Sequence, residues 1–236
     1  GFVISRPIPP MRAPNPPLFV WLLTPLTLLA PGPAYAVWVG VQALAGAVIL
    51  LLTRRLLADR LTRRGWLWVC VAAVWSEVAV FQFGFAQLSI VLAALGLAGY
   101  AWHRQGREWL GCAAVTAAAL LKLYPVLLLP WFIWRGQGHW RGRARRLAVV
   151  AAVAAAAILA TGPGLWASYR REALPVLTSI SLSWLKNLSL PALVYNLGNA
   201  AAGLGPAAPR SESWRLAAVL CGAALMTWAY WHAWRN

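Results

Sequence analysis

Apolar residues run along this chain in long stretches, parted by short clusters of arginine. A helix needs about 20 mainly apolar residues to cross a bilayer, and several stretches reach that length. Residues 34–52 form one, ending at Thr53-Arg54-Arg55, and residues 66–83 and 85–102 form two more. Residues 109–134 make a longer run, interrupted at Lys122-Leu123-Tyr124-Pro125, which predicts a hairpin with the break at its tip. Residues 147–166 are almost wholly Ala, Val, Ile and Leu, and residues 214–234 close the series. Residues 18–30 are too short to cross and carry Pro25, so they read as a re-entrant half-helix. Residues 174–204, with Pro175 and Pro191 among Ser and Asn, remain ambiguous. The pattern predicts an all-α polytopic membrane protein of about seven spans plus re-entrant segments. It would form one transmembrane domain over residues 1–236, with an outer segment and half-helix at 1–33 and a bundle at 34–236 whose outer loop lies near 167–190.

Composition removes the soluble alternative. The chain is 61% apolar and only 11% charged, against about a quarter charged in an ordinary soluble domain. Its 21 Lys and Arg oppose five acids, Asp59, Glu77, Glu108, Glu172 and Glu212. A nucleic acid partner would require that charge on a solvated face. Here the arginines are clumped between apolar runs, so topology accounts for them and no nucleic acid is expected. Arg54, Arg55, Arg60, Arg63 and Arg64 form one cluster, Arg104 and Arg107 a second, and Arg135, Arg141, Arg143, Arg145 and Arg146 a third, in the loop 135–146. The runs as drawn bring all three clusters to one side, which the bias of cytoplasmic loops toward Lys and Arg makes the cytoplasmic one. The turn around Gly84, the break at Lys122–Pro125 and residues 167–187 then face outward. Cys70, Cys112 and Cys221 lie far apart inside apolar runs, with no CxxC, so packing is their expected role. No metal and no cofactor are expected.

Polar residues at membrane depth cost free energy unless they are paired or reach water. Lys122 is the sharpest case, a cation beside a helix break. Either it snorkels to the outer interface, or it and the freed backbone groups bind an anion such as a lipid phosphate. Gln87, with Gln82, brackets the outward turn; it is either simply solvated or hydrogen-bonds hydroxyls or a phosphate. Glu77 lies about a turn and a half below, in a structural ion pair or in a site. Asn187 and Ser189 match a glycosylation sequon, a pattern common by chance, and read better as a polar cluster facing an outward cavity. Arg170 and Arg171 break the positive-inside trend. They bind an anionic headgroup, or their segment is long enough to escape the rule. No Gly-rich phosphate loop, GxSxG elbow or paired carboxylates occur at usable spacing, so substrates are expected to arrive through the membrane.

Four short motifs in order carry a family resemblance. They are Asn15-Pro16-Pro17-Leu18 followed by Pro25 and Trp38, Ala86-Gln87-Leu88-Ser89, Leu121-Lys122-Leu123-Tyr124-Pro125 followed by residues 127–130, and Asn187-Leu188-Ser189-Leu190. Together they resemble the polyprenyl-phosphate-dependent membrane glycosyltransferases of family 87, of GT-C architecture; Ala86 and Ser89 depart from that family's Gly–Gln–x–Asn turn. The resemblance implies transfer of a sugar, often mannose, from a polyprenyl-phosphate donor to a lipid or glycan acceptor. The site would face the outer side of a bacterial plasma membrane. Lys122, Gln87, Tyr124, Asn187, Ser189, Glu77, Arg170 and Arg171 are the candidate donor-binding residues. The resemblance also implies an acidic general base in a loop before Asn15. The first acid here is Asp59, on the cytoplasmic side, so that base is expected upstream of Gly1, which is not a Met; an inactive copy is the other explanation. A small-molecule or lipid transporter and a noncatalytic scaffold are the competing classes. Clustering of Gln87, Lys122 and Asn187 on the outer side favours the lipid-carrier enzyme.

Overall fold

A computed structural model of the chain describes residues 15–60, 62–75, 88–136 and 140–173, with isolated positions between Leu220 and His232. Every regular element among these residues is helical. They fall into two compact units, one of residues 15–165 and one that takes in the chain from Trp166 onward.

Within residues 15–165, α1 (Pro17–Leu23) gives way to a 3-10 turn, Thr24–Leu28. Pro25 lacks the N–H that an α-helical bond would need there, so the half-helix expected from the sequence forms and stops. Next come α2 (Pro31–Leu56), α3 (Arg63–Trp75), α4 (Ser89–Arg104) and α5 (Glu108–Leu121). A 3-10 turn (Tyr124–Leu128), α6 (Leu129–Trp134) and α7 (Trp140–Thr161) complete the unit's main elements. The short α8 (Pro163–Ser168) and a π-helical turn, Tyr169–Ala173, follow.

Two of these helices, α2 and α7, are long and apolar enough to cross a membrane. Their burial pattern is inverted relative to a soluble core. α2 buries Gln42 and Ala45 while Leu44 is 67% exposed, and α7 buries Arg146, Ala157 and Thr161 while Leu159 is 75% exposed. Arg146 and Gln42 are the largest fully buried side chains among the described residues. An apolar exterior around buried polar groups suits lipid as the surrounding solvent. Thr116 and Thr161 each satisfy a buried hydroxyl by donating to the carbonyl four residues back, Cys112 and Ala157.

The expected interruption of residues 109–134 is present. α5 ends with the Lys122 N–H donating to the Ala118 carbonyl at 3.0 Å, and Lys122 itself is extended (φ −156°, ψ 131°). The chain then folds back, so that α6 returns along α5: Phe132 reaches Gly111, and the Cys112 thiol lies 3.7 Å from the Phe132 carbonyl. Buried Cys112 therefore packs as its place in an apolar run predicts. α4 and α5 are antiparallel through a turn at Gly106, whose φ of 78° suits glycine. The Gly106 and Arg107 N–H groups donate to the His103 and Trp102 carbonyls and close the end of α4. The pair crosses at Gly99 and Gly111, where a Cβ on Gly111 would lie 2.8 Å from the Gly99 carbonyl oxygen. Only residues without a side chain permit that approach.

One expectation needs correction. The stretch 135–146, read as a loop, is helical from Trp140, and α7 ends at Thr161 rather than at 166. Arginine is a good helix former, and turning Arg146 inward lets the helix start among its own cations. Gly162, at φ 91°, and Pro163 then end α7.

These contacts give the 15–165 unit two distinct ends. The start of α4, the end of α5 and the first half of α2 share one; Leu88, Leu121 and Trp38 meet there. The end of α4 and the starts of α5 and α7 share the other, with Arg104, Arg107, Arg135, Arg141, Arg143, Arg145 and Arg146. α2 runs parallel to α4, since Ile49 and Tyr100 line the same groove, and so carries Arg54 and Arg55 toward that second end.

Candidate functional site

The end opposite the arginines gathers three of the four motif stretches. Leu88, Leu92, Ala118 and Leu121 form a buried cluster, covered by Leu18, Phe19, Trp38 and Val91. Pro16 is fully buried beside them in sequence, and Phe19 meets Trp38 edge-to-face at 5.9 Å. Polar contacts run above this packing. The Ser89 hydroxyl, in the first turn of α4, faces the Tyr124 phenol at the Lys122–Pro125 break. The Lys122 ammonium lies 5.8 Å from the centroid of the Tyr124 ring, within cation–π range. Lys122 is half-buried, and among the described residues no carboxylate is paired with it.

A mainly apolar groove of about 520 Å³ begins at this point. Tyr124, Pro125 and Leu128 line it at the break, and Leu92, Gly96 and Tyr100 line it along α4, with Ile49 from α2. Tyr124 and Leu128 are 52% and 44% exposed at its edge. A cation at a helix break and an apolar trough thus share Tyr124. Chemically the arrangement can hold an anionic head and an apolar tail at once.

Of the residues selected from sequence, Lys122 and Tyr124 come together here. Gln87, Glu77, Asn187 and Ser189 lie outside the described residues. Arg170 and Arg171 belong to the other compact unit, exposed on the π-helical turn, with the Arg171 Nε donating to the Ala167 carbonyl at 3.4 Å. Beside them the Ser168 hydroxyl donates to Glu172 at 3.0 Å, and burial pushes the Tyr169 phenol above its ordinary range. Sequence reasoning missed Ser89 as a partner of Tyr124, although it stands inside a motif. It also missed Gln42, whose polarity in the middle of an apolar run was the available signal.

These features define a helical membrane protein with a cationic break set against an apolar groove at one end. Residues 14–236 match glycosyltransferase family 87, and the chain belongs to that family; it is a membrane glycosyltransferase. No curated protein and no solved structure matches the chain.

Proposed function

We propose that this chain moves a sugar, mannose foremost, from a polyprenyl-phosphate carrier to a lipid or glycan acceptor at the outer face of a bacterial plasma membrane. The observation that carries the reading is the junction at Tyr124, where the Lys122 cation adjoins the apolar groove. A donor with a phosphate at one end of an isoprenoid chain has the same two parts in the same order. The arginine-rich end is the cytoplasmic one by charge bias, which leaves Lys122 at the outer side of a multi-pass bundle of GT-C type.

In the reaction an acceptor hydroxyl attacks C1 of the sugar, the bond from C1 to the phosphate oxygen breaks, and negative charge grows on the departing polyprenyl phosphate. Lys122 stabilises that charge from a position already fixed before reaction. Tyr124, held by Ser89, lies against the ammonium and orients it. Gln87, Asn187, Ser189, Arg170 and Arg171 supply further donors to phosphate or sugar, and Glu77 orients a sugar hydroxyl. The hydroxyl proton passes to a general base as the acceptor attacks.

The test is transfer in membranes from radiolabelled polyprenyl-phosphate sugars, with the full reading frame and Lys122→Ala beside it. Labelled product that falls by about two to three orders of magnitude in the variant supports the reading. A folded protein that yields no product with any such donor overturns it and brings the transporter forward.

A further inference from the structure

The arginine-rich end carries a second charged surface that sugar transfer does not use. α7 turns Arg146 inward, where it is 1% exposed, and Arg141 and Arg145 outward. Residues four apart share a helix face, so these two guanidinium groups stand one above the other. Each lies over an exposed indole. Arg145 is 6.0 Å from the ring centroid of Trp109 on α5, and Arg141 is 5.6 Å from that of Trp140. Among the described residues no carboxylate pairs with either arginine, and the nearby acid Glu108 is engaged by Arg146. Leu147 and Leu159 are exposed further along the same helix, so the cations sit at the edge of its lipid-facing surface. Indole rings favour the headgroup level, and a guanidinium presents two parallel donors to a phosphate while keeping its charge.

We propose that Arg141, Arg145, Trp109 and Trp140 form a seat for the headgroup of an anionic phospholipid in the leaflet at the arginine-rich end. This rests on α7 crossing the bilayer and not on the transfer reaction. Phosphate oxygens accept from the two guanidinium groups, and the indoles hold the arginine stems at headgroup depth.

The experiment incubates the purified full chain with equimolar cardiolipin and phosphatidylcholine and counts retained lipids by native mass spectrometry. Cardiolipin is expected to be retained in preference, and equal retention of the two overturns the proposal. Arg141→Gln/Arg145→Gln is expected to lower retained cardiolipin about tenfold. Arg54→Gln/Arg55→Gln removes the same charge from the last turn of α2, at the same end, and is expected to change retention less than about twofold. Equal losses from the two pairs mean diffuse attraction without a seat, and overturn the proposal. So does retention unchanged in both. Transfer activity enters none of these measurements, so their failure leaves the enzymatic reading standing and its failure leaves them unaffected.

Discussion

Glu108, in the first turn of α5, and Arg146, in the second turn of α7, form a largely buried ion pair 38 residues apart in sequence, with Arg146 the fully buried partner. The Arg146 Nε also donates to the Ile133 carbonyl at 2.8 Å, so one side chain ties three elements. Gly136 makes room for the pair, because a Cβ there would fall on the guanidinium and the carboxylate. Breaking a buried pair by removing one partner costs about 3–5 kcal/mol. Glu108→Ala is expected to destabilise the protein by that order in thermal unfolding, and Glu108→Met/Arg146→Met by clearly less. A double variant as unstable as the single one would contradict an electrostatic cause.

The same geometry makes Gly136→Ala disruptive although it adds one methyl group. Gly46→Ala is its control, since a Cβ at Gly46 meets nothing within 4 Å. In a helix interior that second change is expected to be neutral or to add up to about 1 kcal/mol. Unfolding midpoints that shift alike in both variants would remove Gly136 from the argument.

The helix crossing offers an independent test. Gly111→Ala places a methyl against the Gly99 carbonyl and 3.2 Å from the Phe132 ring, which forces α4 and α5 apart. Overpacking of this kind costs about 1–3 kcal/mol. Loss of stability should appear together with weakened transfer, because α4 and α5 carry Ser89 and Lys122 on their ends.

Tyr124→Phe removes the hydroxyl that faces Ser89 and leaves the ring that Lys122 faces. A neutral hydrogen bond contributes about 0.5–1.5 kcal/mol, so kcat/KM should fall about 2- to 13-fold. Ser89→Ala is expected to match it, and the double variant to lose no more than either single change. Additive losses would mean that the two hydroxyls act separately.

Gly96 lines the groove with open space above it, so Gly96→Leu fills the trough without displacing backbone. It is expected to raise KM for a donor of long isoprenoid chain while leaving a short-chain analogue almost unaffected. Equal effects on the two donors would place the chain elsewhere.

The helical class, the break at Lys122, the half-helix at Pro25 and the polarity of the two ends were legible in sequence, because run length, proline and arginine clusters each act locally. The site was legible only as motifs. That Leu18, Leu88 and Leu121 meet, and that Ser89 reaches Tyr124, depends on how α1, α4 and α5 pack, which hydrophobic runs of similar composition leave unstated. The Glu108–Arg146 pair was hidden for another reason. Arg146 was counted as part of a one-sided charge bias, and the same bias holds whether an arginine faces water or the interior. The scarcity of acids in this chain was the clue that Glu108 is spent on a specific cation. Reading 135–146 as a loop failed on the same point, since a helix beginning at Trp140 needs one of its arginines taken inside.

The groove's edge residues, Tyr124 and Leu128, stand at the outer surface of the helices rather than at the end of a shaft. For the lipid-borne donor proposed above, entry is then sideways and within the bilayer, so its encounter with Lys122 would be a search in two dimensions. Turnover then follows the mole fraction of donor among the surrounding amphiphiles, not the amount per litre. Adding inert detergent at fixed enzyme and donor slows the reaction by dilution within the surface alone.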